Sequence, residues 1–595
     1  MSARKAFSGD SRKLVLAFDV GTTFSGISYS ILDPGRSPEI RGVTRFPGQH
    51  ESYNGSSKIP TIIYYDKNGK VRAVGAEAVT ESMLVAAEEE CWFKAEWFKL
   101  LLCKKKTGNP LVQEISLPPR KTITQVFADF LKYLFECASE YIKDTHANGP
   151  DLWASVKDKV DFVLSHPNGW EGREQAIMRN AAILAGLVPD TPVGRGRVSF
   201  LTEGEASLHF AIENGLLEGV AEKGQGFLIV DAGGGTIDTS VYRRKPGDSK
   251  SFEEIAASQC HLNGSVFVSR RARQYLKGWL TDSPFEDDVD TIVDEFDRAT
   301  KQRFSDPKNP QFIKVGNTRQ NFKEWNISHG QLKLDGKNVL SFFAPSLRSI
   351  VNSIGEQRRL SVSPIKHVIL VGGFSANEWL FKSLNDNLAP HRMNVFRPPN
   401  RVNKAVADGA LSFYLDHYVT SRVSKYTFGT DVSVDYNSFN EEHVKRRGKV
   451  FRHSISGELR VPGGFAVILP KNTQVTESKE FRQSFILQPV FSPGQSQGVE
   501  QIDADIFCYH GIDKNPGWMD TDRGNFARLC NIVADRPQMS RKTKTNGDQN
   551  KIYSEVSYEI VILFGKTELQ AQIAWLENGV EKRSPAKIVY NDEDF

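Results

Sequence analysis

The sequence has little cysteine. Only six of the 595 residues are cysteines, and no two of them form a Cys-x-x-Cys pair. The six are far apart in the chain: Cys91, Cys103, Cys137, Cys260, Cys508 and Cys530. This distribution excludes a dense disulfide framework and a zinc knuckle, and it favours a reducing compartment.

The sequence also lacks a long apolar run. Its amino terminus, MSARKAFSGDSRK, is polar and has no apolar signal core. No later stretch approaches the roughly 20 apolar residues that a bilayer-spanning helix requires. We therefore expect a soluble, cytoplasmic protein with no membrane partner.

A strong charge of one sign is missing as well. The 76 Lys and Arg residues nearly balance the 72 Asp and Glu residues. No basic field therefore favours nucleic acid, and we expect no nucleic-acid partner. Two short basic runs, residues 104–106 and 445–447, are typical of solvated loops; the alternative is a role in nuclear import or phosphate contact.

The pattern of apolar residues predicts an α/β architecture up to about Tyr414. Strand signals alternate there with helical patterns. The clearest helical pattern covers residues 122–144, where apolar residues recur at i, i+3 and i+4, and another covers residues 173–185. The aromatic side chains of residues 92–98 are also expected to pack in the core from one helix.

After Tyr414 the pattern changes to short β-branched and aromatic-rich runs separated by turn residues. Such runs predict a separate β-rich domain. We place the first domain at residues 14–416 and the β-rich domain at residues 425–595. The boundary is expected within residues 416–425.

Two segments share a pattern in which an acidic residue, glycine and threonine stand between two apolar strands. They are Asp19-Val20-Gly21-Thr22-Thr23 and Asp231-Ala232-Gly233-Gly234-Gly235-Thr236-Ile237-Asp238. Glycine lets backbone N–H groups approach phosphate oxygens closely, and threonine hydroxyls add donors. A carboxylate beside a polyphosphate would be repulsive alone, so Asp19 and Asp231 are expected to hold the water shell of a Mg²⁺ ion.

One such turn is typical of many hairpins, but two of them, about 200 residues apart, predict two related lobes with a phosphate clamp between them. A third glycine turn, Gly372-Gly373, follows a strand at which an adenosine is expected to pack. The sequence has no GxxxxGK[ST], GxGxxG or HExxH motif, which removes the commonest other phosphate and metal sites.

In order and spacing, these segments resemble the motifs of the heat-shock protein 70 family. LAFDVGTTFSGISYSIL is similar to the family's first phosphate motif, FLIVDAGGGTIDTSVY to its second, LTEGEASLHFAIENG to its connecting motif and HVILVGGFSANEWL to its adenosine motif. The resemblance covers about Leu14 to Tyr414. It implies an actin-like two-lobed ATPase, built from duplicated ribonuclease-H-like subdomains, that binds ATP or ADP with Mg²⁺.

The resemblance also implies roles for the matched residues. The phosphates would be contacted by Gly21, Thr22, Thr23, Phe24, Gly233, Gly234, Gly235 and Thr236. Gly372 and Gly373 would flank the adenosine.

Three matched residues would take part in catalysis. Lys99 matches the family's catalytic lysine, which would offset negative charge and help to position the attacking water; the alternative is an ordinary lysine on an amphipathic helix. Glu203 and Asp238 match carboxylates that would orient water or Mg²⁺. For Glu203 the alternatives are a hinge-stabilising hydrogen bond and replacement by Glu205.

The adenosine-contacting positions depart from the family. Gly264, Lys301 and Ser305 match, and they are expected to contact the nucleoside. However, Ser265 replaces an expected glutamate, and the family's second glutamate there aligns with Arg298. Phe374 and Ala376 replace a serine and an arginine. These departures predict altered purine contact, and they resemble the divergent type-12 branch of the family and its fungal homologues.

The C-terminal part resembles the family's peptide-binding β-sandwich only around FAVILPKNTQV, KEFRQSF and YSEVSYEIVILFGKTELQAQI. No acidic hydrophobic linker precedes it, and VYNDEDF ends the chain without a lid or tail motif. The resemblance implies unfolded or client polypeptides and co-chaperones as partners, without trapping by a lid.

Three functions remain open at this point. The first is an ATP-dependent molecular chaperone that acts in protein folding. The second is an ATP-binding interaction or regulatory protein with little turnover. The third is a sugar-kinase-like phosphotransferase, which the predicted β-rich domain disfavours.

Overall fold

The computed structural model describes residues 4–49, 57–103, 110–170, 172–222, 224–248, 250–398, 404–488, 501–535, 539, 541–546, 551–565 and 568–588. The basic run 104–106 and the terminal segment VYNDEDF lie outside these ranges. The chain is a mixed α/β protein that divides into two compact units, Met1–Trp170 with Ile177–Val419 and Glu171–Ala176 with Thr420–Phe595. None of the helices in the described ranges combines the length and apolar character needed to cross a bilayer.

The strands up to residue 396 are β1 (Lys13–Val20), β2 (Phe24–Leu32), β3 (Arg41–Gly42), β4 (Lys58–Pro60), β5 (Ile62–Tyr65), β6 (Val71–Val74), β7 (Phe93–Glu96), β8 (Val160–His166), β9 (Val198–Thr202), β10 (Gly226–Ala232), β11 (Ile237–Arg244), β12 (Phe252–His261), β13 (Gln311–Lys314), β14 (Ile327–Ser328), β15 (Gln331–Leu334), β16 (Ile365–Val371) and β17 (Asn394–Phe396).

The α-helices up to residue 416 are α1 (Glu81–Glu89), α2 (Pro110–Gln113), α3 (Ile123–Thr145), α4 (Gly149–Val156), α5 (Gly172–Leu184), α6 (Pro192–Arg195), α7 (Glu203–Glu213), α8 (Ser265–Trp279), α9 (Val289–Glu295), α10 (Lys301–Arg303), α11 (Gly336–Leu360), α12 (Glu378–Leu388) and α13 (Ala405–Asp416). The helices predicted over residues 122–144 and 173–185 are confirmed as α3 and α5. Thr122 begins α3 with a capping box to Gln125, which satisfies amides that the first helical turn leaves unpaired.

One strand arrangement occurs twice in the first unit. β1 and β2 form an antiparallel hairpin, as predicted, and β1 runs parallel to β8. In the same way, β10 and β11 form a hairpin, and β10 runs parallel to β16. Asp19 and Asp231 each occupy the second-to-last position of the first strand of their hairpin. The repetition therefore places the two carboxylates at equivalent points of the two sheets.

Each of the two sheets has its own apolar core. The first core contains side chains of β1, α3 and β8, such as Phe18, Phe130 and Phe162. The second contains side chains of β10, α11 and β16, such as Val230, Phe343 and Leu370. Two separately packed layers of this kind support the turns that follow β1 and β10.

The prediction of one helix across residues 92–98 is wrong. β7 pairs with β5 in this segment, and a 3₁₀ helix, Phe98–Cys103, follows it. Trp97 between them has a φ of 53°, which lies outside the helical region. Pairing with β5 therefore outweighs the helical spacing of the aromatic residues.

The second unit is mainly strands: β18 (Val419–Val423), which begins at the last residue of the first unit, β19 (Thr427–Asp435), β20 (Phe451–Arg452), β21 (Leu459–Leu469), β22 (Gln474–Thr476), β23 (Glu480–Leu487), β24 (Gln501–Tyr509), β25 (Phe526–Asp535), β26 (Arg541–Asn546), β27 (Lys551–Gly565), β28 (Glu568–Glu577), β29 (Val580–Arg583) and β30 (Lys587–Ile588). A short helix, α14 (Glu441–Lys445), follows β19.

The strands of the second unit form two main sheets. One has the order β20-β21-β19-β24-β25, and the other contains β23, β27, β28 and β29 in that order. Apolar side chains of both sheets, such as Ile506 and Ile560, belong to one core. β18 lies inside the segment where we expected the boundary. The domain bounds 14–416 and 425–595 stay predictions.

The basic run 445–447 is not uniformly solvated. The Arg446 side chain is buried, and its guanidinium lies 4.2 Å from the centre of the Trp518 ring. Its Nε donates to Asp520 Oδ1 at 2.9 Å. The expectation of a solvated loop is therefore wrong for Arg446, whose charge has partners within its own unit.

Candidate functional site

The turns after β1 and β10 lie against each other. A side chain on Gly234 would overlap Thr23 Oγ1, and one on Gly235 would overlap Thr22 Oγ1. The glycines of the second turn are therefore needed first of all to let the threonines of the first turn approach. From the sequence, these glycines are explained by the close approach of a phosphate. In the structure, the close approach of the two turns already requires glycine at both positions.

The start of α8 is hydrogen-bonded to the backbone of the second turn. The backbone amides of Gly264, Ser265 and Val266 donate to the carbonyl oxygens of residues 233–235 over 2.9–3.1 Å. Within the described ranges, the amides of Gly234 and Gly235 make no hydrogen bond. Donors without a partner in a glycine turn are the groups that bind phosphate oxygens.

A cavity of about 310 Å³ opens at the two turns. Its wall brings together most of the residues that the sequence predicts as a nucleotide site: Asp19, Gly21, Thr22, Thr23, Phe24, Lys99, Glu203, Asp231, Gly233, Gly234, Gly235, Thr236, Lys301, Gly372 and Gly373. Segments that are up to about 350 residues apart in the chain thus converge on one space.

Three predicted residues are not among the described residues that line this cavity. Asp238 is buried behind the wall, Gly264 packs against the backbone of Gly234, and Ser305 is exposed. Sequence reasoning missed several that do line it: Lys58, Gln302, Asn377 and Val406. Glu205, the alternative to Glu203, does not line it either.

Lys99 and Glu203 form a buried ion pair at the cavity. Lys99 Nζ donates to Glu203 Oε1 at 2.5 Å and lies 5.4 Å from the centre of the Trp170 ring. Glu203 begins α7, and Thr202 caps that helix. Burial alone would lower the pKa of Lys99, but the negative charges, chiefly that of Glu203, outweigh burial and hold this pKa above its ordinary value. Lys99 is therefore a fixed positive charge.

Asp231 and Asp238 are two buried carboxyl groups of one hairpin. Burial and the charges of Glu203 and Asp238 raise the pKa of Asp231 well above its usual range. Burial and the charge of Glu203 also raise the pKa of Asp238 to about 7, although hydrogen bonds, among them one from the Asn168 amide, act against the rise. One proton near neutral pH can therefore reside on this pair.

Asn168 connects Asp238 with the start of α7. The backbone amide of Asn168 donates to Asp238 Oδ1 at 2.6 Å, and Asn168 Oδ1 accepts from the Gly204 amide at 3.2 Å. Its side-chain amide donates to Ser240 Oγ at 2.9 Å. Asp238 therefore acts on the residue next to Glu203 without reaching the cavity surface.

Each carboxylate oxygen of Asp19 accepts a hydrogen bond from a neighbouring side chain. Its Oδ2 accepts from Lys58 Nζ at 2.6 Å, and its Oδ1 accepts from Ser165 Oγ at 3.2 Å. By contrast, Asp231 accepts from Ser207 Oγ at 3.0 Å and makes no ion pair within the described ranges. The two equivalent aspartates thus differ in charge environment.

The carboxylates at the cavity suit a hydrated cation rather than a cage of protein ligands. No three His, Cys, Asp or Glu residues of the described part of the chain are close enough to hold a metal ion together. Mg²⁺ usually keeps several waters and takes one or two carboxylates. Asp231 lines the cavity and has no cation partner among the residues that the structure describes, so it fits this role through water.

Gly372, Phe374 and Asn377 belong to the wall of the cavity that is predicted to contact adenosine. Gly372 has a φ of 85°, and a side chain there would overlap Asp231 Oδ1. Phe374 is buried, and its ring lies 6.0 Å from that of Phe343. Asn377 binds the carbonyl oxygens of Lys301 and Phe304 at 3.0 and 3.2 Å. This wall of the cavity is therefore firmly packed.

A π-helical turn, Phe296–Thr300, shifts the residues before α10. Arg298, which aligns with the family's glutamate, is exposed and pairs with Glu295. Asp297 instead pairs with the ammonium of Lys301, which also donates to Ser269 Oγ at 3.1 Å. In this turn Asp297, and not Arg298, is therefore the residue that pairs with Lys301.

The duplicated hairpins, with a cavity between two glycine turns, are consistent with an actin-like ATPase fold. Comparison with known proteins agrees with this class. No protein-family model matches the sequence.

Three curated proteins are similar to the chain over most of its length. Heat shock 70 kDa protein 12B of Homo sapiens is 24% identical over 505 residues, which are 70% of this chain and 71% of that protein. Heat shock 70 kDa protein 12A of Mus musculus is 24% identical over 515 residues (70% and 72%), and that of Homo sapiens is 23% identical over 504 residues (70% and 72%). The similarity is weak but consistent, and it confirms the predicted resemblance to a divergent, type-12-like heat-shock protein 70.

Proposed function

We propose that the chain binds ATP with Mg²⁺ and hydrolyses it, as a divergent chaperone-like protein of the heat-shock protein 70 type. The observation that carries this proposal is the cavity at which two Asp-Gly-Thr turns meet beside the Lys99–Glu203 pair. Similarity to heat shock 70 kDa proteins 12A and 12B supports it.

In this proposal the two turns hold the phosphates. Gly234, Gly235, Thr22 and Thr23 line one cavity, and their backbone amides and hydroxyls would supply the donors. A bound Mg²⁺ ion would offset phosphate charge, with Asp231 and Asp19 on its water shell. Gly372, Gly373 and Lys301, which line the same cavity, would contact the nucleoside.

Lys99 and Glu203 would act on the hydrolytic water. The Lys99 ammonium stabilises negative charge that develops on the phosphoryl group, and the Glu203 carboxylate accepts a hydrogen bond from the water. Asp238 is a positioning residue, because it touches Asn168 and not the cavity.

Chaperone activity, client polypeptides, co-chaperones and a cytoplasmic location are the broader parts of the proposal. The similarity to heat shock 70 kDa proteins 12A and 12B supports the chaperone part, and the many strands of residues 420–595 are compatible with binding of polypeptide clients. The co-chaperones and the cytoplasmic location rest on the sequence predictions alone. Client binding would be to extended segments, since exposed sheet edges add strands readily.

An ATP-binding regulatory protein with little turnover is the second candidate. One ion pair favours it, because the Lys99 ammonium is already bound by Glu203. Ammonium groups that are held by carboxylates stabilise a transition state less than free ones do.

Titration calorimetry with Mg·ATP, followed by a single-turnover assay with excess protein, separates the candidates. Binding with measurable hydrolysis supports the ATPase. Binding without hydrolysis supports the regulatory protein, and absence of binding contradicts both. Gly234→Val, which forces the turns apart, is the matched non-binding control.

A further inference from the structure

Lys58 reaches Asp19 across a glycine. β4 pairs with β2 so that Lys58 lies opposite Gly26, and β2 pairs with β1 so that Gly26 lies opposite Asp19. The aliphatic part of Lys58 crosses Gly26, where an added Cβ would lie 3.3 Å from Lys58 Cγ. Its Nζ then meets Asp19 Oδ2 at 2.6 Å. The three residues form a row across three strands, and a larger residue in the middle would crowd the aliphatic part of Lys58.

The ammonium of Lys58 belongs to the phosphate end of the cavity. Lys58 lines the cavity together with Thr22 and Thr23 of the first turn. The backbone of the same segment is fixed to that turn, because the Thr61 amide donates to the Thr23 carbonyl oxygen at 2.9 Å. The lysine is thus held close to the donors proposed for phosphate.

The charge of Lys58 takes the place of part of a metal's charge. Asp19 needs a cation if it is to stand beside a polyphosphate, and Lys58 supplies one within the chain. The side chain of Lys58 is 19% exposed and that of Asp19 is 4% exposed, so solvent screens this pair little.

We propose that Lys58 is a phosphate-binding residue that makes part of the nucleotide affinity independent of Mg²⁺. This inference rests on the proposed nucleotide-binding function. Lys58 holds Asp19 with one N–H and offers its remaining N–H groups to a phosphate oxygen. Where Mg²⁺ is present, its hydrated ion shares the same phosphate charge, and Lys58 contributes less.

The test is a cycle of ADP affinities, with and without Mg²⁺, measured by titration calorimetry on the full chain. We expect the parent to bind ADP in EDTA with an affinity within about 10-fold of that in Mg²⁺. Lys58→Met is expected to lose about 10-fold to 100-fold more than the parent on removal of Mg²⁺, the range for a hydrogen bond to a charged group. With Mg²⁺ present, its affinity should stay within a few-fold of the parent.

Two further variants and one control make the result specific. Lys58→Gln keeps a hydrogen-bond donor for Asp19 but removes the charge, so it should lose as much ADP affinity in EDTA as Lys58→Met. If Lys58→Met folds poorly, Lys58→Gln provides the test. Lys58→Arg should restore binding in EDTA. Lys13→Met removes a lysine that also pairs with an aspartate, Asp161, but does not line the cavity, and should behave like the parent.

The outcomes separate this inference from the function on which it rests. If removal of Mg²⁺ lowers the ADP affinity equally in the parent and in both neutral variants, the role of Lys58 is overturned and nucleotide binding is left intact. The same conclusion follows if the parent binds ADP with Mg²⁺ but not in EDTA. No binding by the parent in either condition would overturn the proposed function itself.

Discussion

Asp231 and Asp238 stand directly opposite each other in the hairpin of β10 and β11. Both are buried, and only Asp231 reaches the cavity. At the equivalent place in the first hairpin, Asp19 stands opposite Gly26, which carries no side chain. The second phosphate turn thus has a paired carboxyl group where the first has space for Lys58.

The first prediction concerns the dependence of stability on pH. Because burial raises the pKa of Asp238 to about 7, the folded state holds a proton there that the unfolded state releases near pH 4. The stabilisation is complete below about pH 4 and is lost as the pH rises to about 7. The Asp238→Asn variant has no carboxyl group here and does not show this loss. Between pH 4 and pH 7 its free energy of unfolding should therefore rise relative to that of the parent by on the order of 1–4 kcal/mol.

Chemical denaturation of both proteins at pH 5 and pH 8 measures the effect. Asp386→Asn, a change at an exposed position, is the control and should leave the pH profile of the parent unchanged. A constant difference between Asp238→Asn and the parent across this range would show that Asp238 keeps an ordinary pKa.

The second prediction concerns contact between the two turns. Gly234→Val places a branched side chain against Thr23, so the turns must separate and binding of Mg·ATP should fall by at least about 100-fold. Gly355→Val, on an open position of α11, should bind like the parent. Calorimetry provides the comparison, and parent-like affinity in Gly234→Val would contradict the clamp.

The third prediction separates chemistry from binding. Lys99→Ala should slow single-turnover hydrolysis on the order of 10²-fold and change ATP affinity only a few-fold, because the ammonium acts mainly on the developing charge. The change leaves Glu203 buried without its partner. Lys99→Met combined with Glu203→Gln therefore controls for misfolding, and it should stay folded and inactive. Hydrolysis at the parent rate in both would refute the assignment.

The fourth prediction concerns Arg446. Arg446→Ala removes a buried guanidinium from Asp520 and from the Trp518 ring, and should cost on the order of 2–4 kcal/mol of stability. Arg447→Ala, at the neighbouring exposed position, should cost less than about 0.5 kcal/mol. Denaturant unfolding of the two variants gives the difference. Equal stabilities would mean that this ion pair has no structural role.

The fifth prediction tests the domain bounds. β18 pairs with β22, and the Ser424 amide donates to the Thr473 carbonyl oxygen at 2.9 Å. A fragment of residues 420–595 keeps this pairing, whereas one of residues 425–595 leaves β22 without its partner. We expect the longer fragment to be the more stable by about 1–3 kcal/mol and to protect residues 474–476 from hydrogen exchange. Equal protection would favour the shorter domain.

The parts of the site that were predictable from sequence are local. Asp19 and Asp231 precede glycine and threonine at strand ends, and this composition alone indicates a phosphate turn. The role of Lys58 was not predictable in this way, because its distance from Asp19 depends on the register of β4 against β2 across Gly26. Asn168 was missed for the same reason, since its partners come from other strands.

Two other differences between the predicted and the observed structure come from the conformation of the backbone. Helical spacing of aromatic residues over 92–98 has no effect when β5 offers a partner strand, because tertiary pairing overrides local propensity. In the π-helical turn before Lys301, Asp297 rather than residue 298 pairs with the lysine. Turns of this kind cannot be located from one sequence.

The row of Lys58, Gly26 and Asp19 also makes the distribution of charged groups on the cavity wall uneven. Lys58 lines the cavity at the first turn, where its ammonium is paired with Asp19, whereas Asp231 of the second hairpin lines it with no ion pair in the described ranges. The two turns therefore present different groups to a bound anion, an ammonium at the first and a carboxyl group at the second. A linear anion whose charge is concentrated at one end is expected to place that end near Lys58 and away from Asp231.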